Sequence, residues 1–197
     1  AQDERACIAS FEMPPSHTLQ IAVCQATNRE KIESRERFDA VMAWLGEKFW
    51  IFDRQGIKDW RKMLEVFTYV RRRYGVTQFV IDSLLKCGIN SDDYNGQKDF
   101  VDHLAQWAKL EKVHVHLVAH SKKLQNEKDS GGKMDVKGSG AITDQVDNVI
   151  VVWRNKAKEA ARQAGEPLDP NTPDALLIID KQRNGEFEGK LGLFFDQ

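Results

Sequence analysis

Cysteine is scarce, and what there is does not pair. Cys7, Cys24 and Cys87 are the only three in 197 residues. An odd, widely spaced set with no CxxC argues against a disulfide framework and suits a reducing compartment. No apolar run approaches the roughly 20 residues that cross a bilayer, so no membrane partner is expected, and no secretory leader opens the chain. A dominant charge is missing too: 29 Lys and Arg against 30 Asp and Glu leave −1. Without a global positive field, any contact with nucleic acid has to be local. The chain reads as soluble and intracellular, with a cytoplasmic setting expected, and its length suits one sizeable core in a single domain spanning 1–197.

What is present is an alternation. Short apolar runs at 6–11, 49–53, 78–82, 113–119, 148–153, 175–180 and 191–195 carry strand-forming residues. Between them apolar residues recur at spacings of three and four: Phe38, Val41, Met42 and Leu45; Ile57, Trp60, Leu64, Phe67, Val70 and Tyr74; then Phe100, Leu104, Trp107 and Ala108. That period makes a helix with one buried face, so Trp60 and Trp107 are expected in the core and not at a cofactor. Strands that are almost wholly apolar and separated by helices predict an α/β fold, mostly a parallel sheet with helices on both faces.

Ligands of such sheets collect at the carboxyl ends of the strands. Glu12 follows "CIASF", Asp82 ends "FVID", His120 follows "VHLVA" and Arg183 comes soon after "LLIID". Taken singly, each has a plain explanation. Asp82 is as well explained by a turn cap as by a magnesium ligand, and "RNG" is good turn chemistry for Arg183. As a set, a carboxylate to polarise water, a carboxylate for a metal, a polar group near a phosphate and an arginine to offset charge are what phosphoryl transfer requires.

The ordered segments "IASFEMPP", "FVIDSLL", "HLVAHSKK", "KGSGAITDQVDNVIVVWRN" and "DKQRNGEFEGKLGLFFD" cover nearly the whole chain. Together they resemble the RecA-like motor domain of ring-shaped replicative helicases, and look closest to bacteriophage primase-helicases and Twinkle, with DnaB somewhat further away. The resemblance implies an ATP- or dTTP-hydrolysing DNA helicase that uses Mg2+ and works as a homo-hexamer on single-stranded DNA, with primase and polymerase as possible partners. It implies roles as well. Glu12 matches the glutamate that activates water, Asp82 the Walker B aspartate near magnesium, and His120 the sensor of the γ-phosphate. Lys181 and Arg183 match a pair extended into the neighbouring subunit's site, Arg183 being the arginine finger. Arg154 matches a residue that lies against the base, with Phe194 or Phe195 able to face it.

Residues 121–140, "SKKLQNEKDSGGKMDVKGSG", have the composition of a mobile solvated loop, unusually long for a plain connection. In the resembled family this loop lines the channel, so Lys122, Lys123, Lys128, Lys133, Lys137, Gly138, Ser139 and Gly140 are implied DNA contacts. Three other features carry less. "VHVH" places His114 and His116 on one strand face, but no further ligands complete a zinc site. The arginines at 71–73 suit a helix C-terminus and a solvated face, and "KAKEAARQAGEPLDPNTPD" reads as a short exposed helix and a loop with no evident chemistry.

One departure from the family stands out: GxxxxGK[ST], the loop that grips phosphates, is absent. The family places it just before the strand that opens this chain. Residue 1 is therefore expected to lie inside the motor, and the chain alone to bind ATP poorly and hydrolyse it hardly at all. Two other functions stay open: another RecA-like DNA-dependent ATPase of recombinase or repair type, and a non-catalytic single-strand-binding or replisome module.

Overall fold

The computed structural model describes residues 3–29, 34–53, 59–90, 92–121 and 140–195. The chain forms two compact units, Ala1–Ala119 and His120–Gln197.

The first unit runs β1 (Ala6–Ser10), α1 (Pro15–Thr27), α2 (Arg35–Gly46), β2 (Phe49–Ile51), α3 (Trp60–Tyr74), β3 (Gln78–Asp82), α4 (Tyr94–Glu111) and β4 (His114–Val118). Its four strands pair in the order β2-β1-β3-β4, all parallel. Cys7 and Ala9 of β1 and Phe79 and Ile81 of β3 are fully buried at alternate positions, which fixes which face of each strand the core takes. The order also decides where the helices go. The connection from β1 to β2 runs one way across the sheet, while those from β2 to β3 and β3 to β4 run the other. Right-handed crossovers therefore place α1 and α2 on one face and α3 and α4 on the opposite one, in keeping with the contacts α1 makes with α2 and α3 with α4.

Local chemistry sets the helix ends. Asp59 caps α3 by accepting from the Arg61 amide at 3.0 Å, and Arg71, Arg72 and Arg73 occupy its last turn, where cations offset the dipole. Gly75 closes it at φ 69°, a conformation other residues adopt at a cost. The arginines do more than meet solvent: Arg71 donates to the Glu111 carbonyl and Arg72 pairs with its carboxylate, which ties the ends of α3 and α4 together. Trp60, Met63, Phe67 and Val70 are buried on one face. Phe67 lies 4.7 Å from Phe79 between ring centroids, and Trp107 packs on Phe79 at 5.1 Å while its indole donates to Thr68. Both tryptophans pack as expected.

Two helices depart from the sequence reading. The stripe expected along α2 is buried only at its C-terminal end, at Leu45, and Phe38 is 39% exposed. Its N-terminal turns have little to cover. α1 is absent from the periodic pattern because its buried positions, Thr18 and Val23, do not form an apolar stripe.

The second unit contains α5 (Gly140–Gln145), β5 (Asn148–Arg154), α6 (Lys156–Gln163), β6 (Ala175–Gln182) and β7 (Gly189–Leu193). Its sheet is antiparallel, in the order β5-β6-β7, with an irregularity at Val149 and Ile150. The mostly parallel sheet expected from the early strands thus holds for β1 to β4, while β5, β6 and β7 pair antiparallel, β6 and β7 across the short link 183–188.

Candidate active site

The strand order places a switch point between β1 and β3. Adjacent parallel strands whose connections leave in opposite directions open a crevice at their carboxyl ends, where α/β sheets take their ligands. Glu12 and Asp82 stand there. Ser10 and Asp82 are register partners, and the Phe11 amide donates to the Asp82 carbonyl at 2.7 Å, extending the pairing past the strand ends.

Two serines then organise the acids. Ser10 Oγ donates to Asp82 Oδ2 at 3.3 Å, and Ser83 Oγ donates to Glu12 Oε1 at 2.9 Å. Ser83 is 0% exposed, joined to Asp82 by a cis peptide bond, and its carbonyl accepts from Cys87 Sγ. Glu12 is exposed and Asp82 half-buried. The rim therefore carries a carboxylate held by a buried hydroxyl beside a second carboxylate on the next strand. Such hard oxygen donors suit Mg2+, which binds through one or two carboxylates and completes its shell with water and substrate phosphate. Asp82, at the end of β3, could serve as such a ligand; among the described residues no cluster of three or more His, Cys, Asp and Glu forms a metal cage.

Along the chain His120 follows β4 by two residues and is exposed; β4 is the strand that pairs with β3. His114 and His116 lie 4.4 Å apart between ring centroids. Burial, then the charge of His114, holds the His116 pKa below its usual value.

In the second unit the predicted residues divide between opposite ends of the antiparallel sheet. Arg154, Ala175 and Leu193 share one register row, so Phe194 and Phe195 lie just beyond the same end as Arg154. Arg154 pairs with Glu159 at 2.5 Å, and Lys158 sits 5.7 Å from the centre of the Phe194 ring, which is 57% exposed. Lys181 and Arg183 lie at the other end, six and eight residues along from Ala175, or about 20 and 27 Å.

Asp174, in the "TPD" where the sequence offered no chemistry, organises the first of these ends. Its carboxylate accepts from the Phe195 amide at 3.1 Å and from Arg162 at 2.6 Å, and pairs with Lys158 at 3.3 Å. The Phe195 amide bond, then Arg162, lowers the Asp174 pKa to about 2. Asp147 holds Arg183 at 2.8 Å at the opposite end. Ser10, Ser83, Asp147 and Asp174 escaped the sequence reading. The only signal for the serines was a small hydroxyl residue flanking a strand-end acid. Of the implied DNA contacts, Gly140 is the exposed first residue of α5. Lys122, Lys123, Lys128, Lys133, Lys137, Gly138 and Ser139 lie outside the described residues.

No protein-family model matches the sequence, and no curated protein matches it. Solved structures do. A DnaB-like replicative helicase, whose structure was determined together with its interactions with primase, aligns with 99% of this chain at a TM-score of 0.75 and 17% identity. The chain spans 49% of that protein's length. A second structure, solved as an ATPase domain, aligns with 98% of this chain at a TM-score of 0.74 and 17% identity, and the chain spans 72% of it. In fold, then, the chain is similar to the RecA-like ATPase domains of replicative helicases, and its crevice lies where such α/β sheets bind their ligands.

Proposed function

We propose that this chain is motor-domain sequence of a ring-shaped replicative DNA helicase, which hydrolyses ATP or dTTP at sites shared between subunits and moves along single-stranded DNA as a homo-hexamer. The observation that carries the reading is the pair of strand-end carboxylates, Glu12 and Asp82, set side by side at the switch point and each bonded to a serine. Support also comes from the fold shared with helicase ATPase domains.

In this reading Glu12 is the general base. An attacking water lies on its exposed side and gives up its proton there, while Ser83 Oγ fixes the direction of the carboxylate. Asp82 would hold Mg2+, which when bound neutralises charge developing on the phosphates. Arg154 and Phe194 form a platform for the base. Arg183, about 27 Å away along β6, is too distant to meet the same nucleotide from within that unit and acts on a neighbour's. An arginine so placed contributes about 10³- to 10⁵-fold in rate. His120 senses the γ-phosphate, and the lysines of 122–137 follow DNA phosphates. A primase partner is proposed by analogy with the first matching structure, and a polymerase partner and a cytoplasmic setting accompany it.

The test uses the full-length protein. Glu12→Gln is expected to abolish nucleotide hydrolysis while nucleotide binding persists. Unmodified turnover in that variant would sink the reading. Electron microscopy of the assembled protein is expected to show closed rings; open filaments would favour a recombinase-type ATPase.

A further inference from the structure

β6 delivers Lys181 and Arg183 to one short stretch of chain, residues 143–147, which comprises the end of α5 and its link to β5. Lys181 Nζ donates to the Thr143 and Asp144 carbonyls at 2.8 and 2.9 Å. These carbonyls belong to the last turn of α5, where helical partners run out and a cation is favoured. Arg183 is anchored three times over. Its backbone amide donates to the Asp147 carbonyl at 2.9 Å, Nη1 to Asp147 Oδ1 at 2.8 Å, and Nη2 to the Asp144 carbonyl at 3.3 Å. Two of the five guanidinium N–H groups are engaged. The side chain is still 47% exposed, so part of it is open to solvent.

We propose that Asp147 is a positioning residue for Arg183: its carboxylate fixes the guanidinium so that the outer donors meet a nucleotide phosphate on a second copy of the chain. The proposal rests on the trans role of Arg183 given above and adds the group that aims it. An unrestrained arginine surrenders rotamer entropy when it docks. A pre-aimed one has met that cost during folding. The ion pair itself is half-exposed and screened by water, so direction, not charge, is what Asp147 supplies.

In the full-length protein Asp147→Ala is expected to lower kcat for nucleotide hydrolysis about 10- to 100-fold, the range a small misplacement of a catalytic group brings. KM should stay unchanged, and Asp147→Glu should recover part of the loss. Subunit mixing decides the matter. Asp147→Ala subunits combined with Glu12→Gln subunits should hydrolyse faster than either alone, because each Asp147→Ala subunit keeps an intact site that can take Arg183 from a Glu12→Gln neighbour. A purely structural lesion gives no such gain. Should Asp147→Ala fail to assemble, Asp147→Asn enters the same mixing. A mixture without gain, or turnover within twofold of the unmodified protein, overturns the proposal. Arg183→Ala run in parallel separates the two levels. If it hydrolyses normally, the trans reading falls and takes this one with it; if it is inactive and rescued by mixing while Asp147→Ala is neutral, only the role of Asp147 falls.

Discussion

Replacing Ser83 with alanine removes one oxygen from a fully buried position and with it the donor that holds Glu12 Oε1 at 2.9 Å. A hydrogen bond to a charged acceptor contributes about 1.5 to 3 kcal/mol when the acceptor is left dry. Glu12 is exposed, so water replaces the lost donor, and the folded state is expected to lose about 1 kcal/mol or less. That corresponds to a melting shift of no more than about 2–4 °C for a chain of this size. Catalysis should be far more sensitive. With that bond gone, Glu12 holds the water in the attacking position for a smaller share of the time, and a misplacement of this kind costs about 10²-fold in kcat, or about 2.7 kcal/mol of activation free energy. Nucleotide KM should not move, since Asp82 and the base platform are untouched. Steady-state hydrolysis by full-length Ser83→Ala, read beside its thermal melt, makes the comparison. Turnover within twofold of the parent, or a loss that appears in KM and not in kcat, would refute the idea that Ser83 aims the base.

Phe194→Ala should raise nucleotide KM about 5- to 100-fold, the range of base–aromatic stacking, and leave kcat within a few-fold; a change confined to kcat would remove Phe194 from the base platform. Asp174 is held at about 2 in the folded chain against the ordinary 3.8. A depressed carboxylate stabilises the fold above its unfolded pKa and loses that contribution as pH falls through the folded value, so thermal melts should weaken between about pH 4 and pH 2, and Asp174→Asn should flatten that slope. Burial raises the pKa of Cys7 and Cys87 to about 12, so a thiol reagent at neutral pH should modify the half-buried Cys24 first, with the other two following only on denaturation.

Much of the fold was legible because strands and helices of this kind write themselves as local patterns. The run 78–82 gave β3 with its ends correct, and the stripe from Ile57 to Tyr74 marked α3, Ile57 itself lying outside the described residues. α1 was not legible, since it buries Thr18 and Val23 without an apolar stripe to announce them. Antiparallel pairing of β5, β6 and β7 was missed because an apolar strand reads the same in either direction. In the candidate site, Glu12 and Asp82 were legible as acids at strand ends. Ser83 and Asp147 did not, for their partners lie 71 and 36 residues away in the chain. A lone polar residue carries no period, and its meaning comes only from what the fold brings to it.

The three-stranded sheet also bears on counting. Its two ends hold Arg154 with Phe194 and Lys181 with Arg183, and in the function proposed above each copy of the chain would own one half of two different nucleotide stations. A closed ring would then have as many complete stations as members, whereas an arc with one gap would be short by one, with a base platform stranded at one lip and an unmet arginine at the other. Opening such a ring to admit a DNA strand would silence a single station and leave the rest able to fire.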